Sequence, residues 1–310
     1  MNAKFLEGLA GKLSERLVAA VLSPAFTFLG IGLLAWLWSR GWTAGWATLA
    51  AWVGKRTAGE SLVLIVGVLI GVVVLGSLAE ALTVPVIRML EGYWPRWLAF
   101  AGWPLRRWHI GRFRRREQRF QAAALAARPA EAAATLRWAA TRAEDALYRY
   151  PPDESLLLPT RLGNTLRASE MRPYYKYGLD PVRCWNHLWL VLPDSARAAI
   201  TEARSRLDAA AVAVTFSVAV AIWTIWAWWA LPLALVAAAV AYRVYAIAAA
   251  EAYGDLVEAA CDVYRPALYS ALRFQLPQTP DDDHELAGFV NRYLQTGARS
   301  KDRIFMRPAN

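Results

Sequence analysis

Four stretches of the chain are apolar all round, with neither the alternation of a half-buried strand nor the single stripe of a surface helix. Residues 17–38 contain 22 positions without a charge, 61–79 contain 19, 209–229 contain 21, and 231–250 contain 20 with one charge, Arg243. A helix needs about 20 apolar residues to cross a bilayer core of about 30 Å, so each stretch is long enough to span. The last two are contiguous. As one helix, 209–250 would run roughly 62 Å at 1.5 Å per residue, about twice the core, so the chain must double back. Pro232, just after Trp223, Trp226, Trp228 and Trp229, is the expected turn, with the tryptophans at a membrane–water interface; a re-entrant segment is the alternative. The expected fold class is an all-α integral membrane protein: four transmembrane helices with a helical cytoplasmic domain between the second and third.

The polar pattern divides the remainder. Residues 1–16 place Phe5, Leu9 and Leu13 at four-residue spacing, with Lys4, Lys12 and Glu15 on other faces. That pattern reads either as a short amphipathic helix on the membrane surface or as the start of the first span. The first apolar run is longer than a signal-peptide core and no clear A-x-A site follows it, so it reads as an uncleaved anchor. Residues 17–108 comprise the first two spans, a connector and an inner aromatic belt. The connector 41–54, with Trp42, Trp46 and Trp52 and no charge, reads as an interfacial helix or a re-entrant, pore-lining one. The second span is expected to run on past Pro85 into the belt of Trp94, Trp97, Trp103 and Trp108, interrupted by Pro95 and Pro104. Residues 109–207 form a basic helical domain, in which Pro129 separates two helices. Residues 208–250 are the hairpin, and 251–310 are C-terminal helices. In that last region the fourth span continues as a helix to Pro266, and Asp281–Asp283 open a final helix.

Composition fits a membrane protein: 57% of residues are hydrophobic and 19% charged, against about 45–50% and 25% in soluble domains. The formal net charge of +10 has a location. Residues 88–207 hold 21 Lys+Arg against 11 Asp+Glu, a net +10, whereas the connector from Ser39 to Glu60 holds a net +2 and the hairpin tip no charge. By the positive-inside rule the basic domain and both termini are cytoplasmic. Arg112, Arg114, Arg115, Arg116 and Arg119 then lie just inside a span, where basic clusters meet anionic headgroups, and they are the candidate lipid-binding residues. Only Phe113 and Phe120 are interleaved with them, a poor pattern for nucleic acid. The two cysteines, Cys184 and Cys261, and the three histidines are scattered, giving no metal-ligand or disulfide framework. No cofactor is expected, and no hydrolase, P-loop or dinucleotide motif marks an enzyme.

Residues 158–193 are the most individual stretch: LPTRLGNTLRASEMRPYYKYGLDPVRCWNHLWLVLP. Gly163-Asn164 is expected to break a short helix from Thr160 to Glu170, and Asp180 to cap the helix that follows. The stretch reads foremost as a structural elbow, with a ligand site as the alternative. Its pattern of Arg161, Gly163, Asn164, Arg167 and Glu170, then Tyr177, Gly178 and Asp180, resembles a family of uncharacterised bacterial multi-spanning membrane proteins. Lys176 stands where that family has Arg. A further similarity covers Leu276-Pro277 through Glu285. The resemblance implies a multi-pass protein of the bacterial inner membrane and assigns no activity.

Two ionisable residues fall within spans. Arg243 lies about 18 Å from the hairpin turn and Glu80 about 28 Å into the second span, so both are candidate intramembrane polar or pore residues. Gly67 and Gly71 have the spacing of close helix packing. The expected function is an oligomeric channel or pore-like protein with a basic, anion-favouring cytoplasmic vestibule. The alternatives are a non-conducting anchored adaptor for a cytoplasmic protein or anionic lipid, and a membrane-disrupting stress or defence effector. The expected partners are membrane lipids, further copies of the chain and a cytoplasmic protein, with no nucleic acid.

Overall fold

Apolar runs of this length leave the backbone no partner but itself, and in the computed structural model, which describes residues 23–129 and 133–297, every described element is helical. In chain order they are α1 (Pro24–Arg40), α2 (Trp42–Gly54), α3 (Ala58–Ala81), α4 (Thr83–Glu91), α5 (Ala99–Ala127), α6 (Ala134–Tyr148), α7 (Arg161–Tyr177), α8 (Pro181–Val191), α9 (Asp194–Ala219), α10 (Ala230–Val240), α11 (Ile247–Ala271) and α12 (Pro280–Thr296). A 3-10 stretch, Val220–Ile225, follows α9, and a π-helical turn, Ala241–Ala246, joins α10 to α11. Three of the helices are long and apolar enough to cross a membrane: Ala58–Ala81, Asp194–Ile225 and Ala230–Ala271. The amphipathic segment 1–16 and the first residues of the expected first span lie outside the described residues; the rest of that span is α1.

Local chemistry sets most boundaries. Thr57 and Glu60 form a reciprocal capping box at the start of α3, satisfying two orphan N–H groups. Thr279 and Asp282 form a second capping box at α12, and Ser23, Thr160 and Asp180 N-cap α1, α7 and α8 by accepting a backbone N–H. The α5–α6 break falls around Pro129, as the sequence predicts. Four expectations are corrected. The second span does not run on as one helix into the tryptophan belt: α3 ends at Ala81, and α4, which contains Pro85, ends at Glu91 before Trp94. Pro104 lies inside α5 and does not interrupt it. The hairpin turns at 226–229, and Pro232 sits in the first turn of α10, where its missing N–H costs nothing. Pro266 lies inside α11; the Asp262 carbonyl that its missing N–H would have served accepts from Arg265 Nη1 instead.

The chain forms two units. One gathers the described residues up to Ile87 and Asp208–Ala246. Its core joins Ala25, Val72, Ala79 and Phe216, and Trp223 packs on Phe28 and donates to the Phe28 carbonyl at 3.1 Å. The second unit takes Arg88–Leu207 and the described residues from Ile247. Its main core, with Leu188, Cys261, Tyr269 and Val290 fully buried, is made by α8, α9, α11 and α12, with Tyr177 of α7 packed against it. A smaller cluster of Phe113, Tyr150 and Leu157 seats α5 and α6.

Candidate functional site

The individual stretch at 158–180 builds the centre of the second unit. Gly163 does not break a helix: α7 runs unbroken from Arg161. A Cβ at Gly163 would lie 2.0 Å from the Glu91 carbonyl oxygen, so glycine is there for close approach of two backbones. Asn164, also expected at the break, clamps the entry to α7: its Oδ1 accepts from Leu158 N at 2.7 Å and its Nδ2 donates to the Leu158 carbonyl at 2.9 Å. Gly178 takes the left-handed conformation that closes α7, φ 73°. Asn291 of α12 bridges the turn, donating to the Gly178 carbonyl at 2.7 Å and accepting from Asp180 N at 3.0 Å. Arg161 pairs with Glu251 at 3.2 Å and Arg167 with Glu170 at 3.5 Å.

Below these residues lies a charge network with no counterpart in the sequence reading. Thr165, Ser169, Arg172 and Lys176 recur on one face of α7 and meet Gly254, Glu258 and Asp262 of α11. Arg172 Nη1 is 2.5 Å and Lys176 Nζ 2.6 Å from the Glu258 carboxylate, and Lys176 reaches Asp262 at 3.2 Å. The Arg172 guanidinium lies 3.3 Å from the Tyr148 ring centroid. Burial pushes the Glu258 carboxyl up, but hydrogen bonds from Lys176, Arg172 and Tyr148 outweigh it and hold the pKa below the usual carboxylate value. The network continues through Arg265, which stacks over Tyr177 at 3.7 Å and donates to Asp283 at 2.8 Å, where Tyr269 also donates. The signal was present as the four- and three-residue recurrence of polar residues on both helices. Without the knowledge that the two faces meet, it reads as two solvated faces.

The α5 helix divides the arginines that the sequence groups together. Its inner face, through His109, Phe113 and Arg116, packs inward. Arg116 Nη1 donates to the Ala146 carbonyl at 2.6 Å and its guanidinium stacks over Tyr150 at 5.0 Å. Arg114 is held by both oxygens of Glu154 at 2.8 Å. Arg112, Arg115 and Arg119 point outward with Arg107. They share the outer face with Phe100, Trp103 and Trp108, which are 75%, 63% and 55% exposed. Arg107 stacks over Trp103 at 4.4 Å and Arg112 over Trp108 at 5.1 Å. Of the five candidate lipid-binding arginines, Arg112, Arg115 and Arg119 are therefore open, Arg116 is turned inward, and Arg114 is exposed but paired with Glu154; Arg107 joins the open set.

Glu80 and Arg243 are both exposed on the first unit, and no ion pair or hydrogen bond joins them. Arg243 lies in the π-helical turn, a feature that recurs at functional positions. No protein-family model, curated protein or solved structure matches the chain.

Proposed function

We propose that this is a membrane-anchored, non-conducting protein whose second unit lies on the cytoplasmic side and engages anionic lipid headgroups through the outer face of α5. The observation that carries the reading is that face: the large exposed aromatics Phe100, Trp103 and Trp108, the open arginines Arg107, Arg112, Arg115 and Arg119, and an inner face closed by its own partners. Trp and Arg stacked on one another suit the headgroup layer, where the ring is half-buried and the cation meets phosphate. Each open arginine contributes about 1 kcal/mol against an anionic surface. Three helices have the length and composition to span a membrane, which supports the anchor.

The test is lipid preference of the purified protein in detergent. Phosphatidylglycerol should raise its melting temperature more than phosphatidylcholine does. The Arg107/Arg112/Arg115/Arg119→Gln variant should lose that difference, while Arg114→Gln, whose side chain is already occupied by Glu154, should keep it. Equal response of the two variants would sink the proposal. A conducting assembly of several copies is the second reading, favoured by the exposure of Glu80 and Arg243, which other copies could cover. Planar-bilayer recordings separate the two, since the anchored reading requires no conductance.

A further inference from the structure

We infer that the cavity where α7, α8 and α11 meet is a binding site for a small primary amine, an ammonium group carried on a short apolar or aromatic body. The cavity is half-open and about 240 Å³ in volume. Gly254 lines its α11 side and lets α7 pack closely there, since an added Cβ would lie 2.4 Å from Ser169 Oγ. Its walls are Leu166, Trp185 and Tyr253, and its charged residue is Glu170.

The polar groups of its α7 wall call for a donor. Ser169 Oγ already donates to the Thr165 carbonyl at 3.3 Å, so it offers lone pairs to a ligand. Arg167 pairs with Glu170 through Oε2 at 3.5 Å, which leaves Oε1 for another donor. Burial raises the Glu170 carboxyl above its ordinary value in spite of Arg167, and burial, followed by the negative charge of Glu170, raises Glu91 as well. An ammonium brings three N–H donors and no acceptor. It can meet Glu170 and Ser169 at once while the Trp185 and Tyr253 rings contact its body or its charge. A carboxylate or phosphate ligand would instead face Glu170 directly. The site is separate from the outer face of α5, so neither proposal rests on the other.

The probe is 2-phenylethylamine, titrated calorimetrically into the full chain in nanodiscs and compared with 2-phenylethanol and 3-phenylpropanoate. Saturable one-site binding of the amine is expected, at least about tenfold tighter than either comparator, as for a hydrogen bond to a charged group. Glu170→Gln should weaken it by about tenfold or more. Val182→Trp should abolish it: Val182 lines the cavity but is 70% exposed, so the larger ring closes the mouth without disturbing the core. Phosphatidylglycerol preference should be unchanged in both variants, which separates failure here from failure of the lipid reading. Absence of saturable binding, equal binding of the alcohol, preference for the acid, or an unchanged Glu170→Gln affinity would each overturn the assignment.

Discussion

His109 links burial to pH. Its ring is 5% exposed, faces Tyr150 at 3.4 Å through Nδ1 and packs edge-on to Trp108. Burial, reinforced by the positive charges of Arg112 and Arg116, lowers its pKa from 6.5 to about 4. In that window the unfolded chain binds a proton that the folded chain refuses. The resulting stability is fully present above pH 6.5 and is lost as pH falls toward 4, an effect on the order of 2–3 kcal/mol. Thermal unfolding between pH 7.5 and 4.5 should therefore show a fall in melting temperature that is smaller in His109→Gln; an identical slope in the two proteins would refute it. From the sequence His109 was one of three scattered histidines. What distinguishes it is the ring of Tyr150, 41 positions away, and no local pattern carries that information.

At the scale of elements, residues that ordinarily end helices lie inside them. Pro266 is tolerated because Arg265 takes up the carbonyl that the proline leaves unserved, and Gly163 because α7 crosses the end of α4 too closely for any side chain. Local rules located the helices well where nothing tertiary opposed them, as at the Asp180 cap of α8 and the break near Pro129. They misplaced boundaries where a side chain of the same helix supplied the missing bond, as Arg265 does, or where glycine served close packing and did not break the helix. The cavity was illegible for a related reason: its residues come from three helices, and their spacing within any one of them is ordinary. Gly163 provides the sharpest test. In Gly163→Ala the new Cβ meets backbone, the Glu91 carbonyl oxygen at 2.0 Å, which cannot rotate away as a side chain could. The two helices must separate, at a cost of about 1–3 kcal/mol or more. Gly111→Ala is the control: it lies in α5 with nothing within 4 Å of the added atom, so alanine should be neutral or stabilise by up to about 1 kcal/mol. Denaturant or thermal midpoints moving in opposite directions, or only for Gly163, are the expected outcome; equal shifts would mean that the close crossing is absent.

At the scale of the whole molecule, the distribution of charge and the two buried thiols combine into a topology experiment. Residues 88–207 carry a net +10, from 21 Lys+Arg against 11 Asp+Glu, whereas the connector between α1 and α3 carries two positive charges, Lys55 and Arg56, and the turn at 226–229 carries none. In the proposed orientation that connector and turn face away from the cytoplasm and the second unit faces it. Cys184 and Cys261 are both fully buried in the core of the second unit. Burial pushes the Cys184 thiol up to about 12 and raises that of Cys261 as well. Thiolate is the reactive form, so the native chain should give almost no background with a maleimide in intact membranes, and no cysteine need be removed. Single cysteines can then be added at exposed polar positions: Thr57, beside Lys55 and Arg56 in the connector, and Arg115 in α5. In sealed right-side-out vesicles a membrane-impermeant maleimide should label Thr57→Cys, whereas Arg115→Cys should react only after the vesicles are opened. The reverse pattern would invert the protein and place the basic face of α5 on the wrong leaflet for the proposed lipid contact. Labelling of both positions in sealed vesicles would require an odd number of crossings between residues 57 and 115 to be abandoned, and with it the reading of α3 as a span.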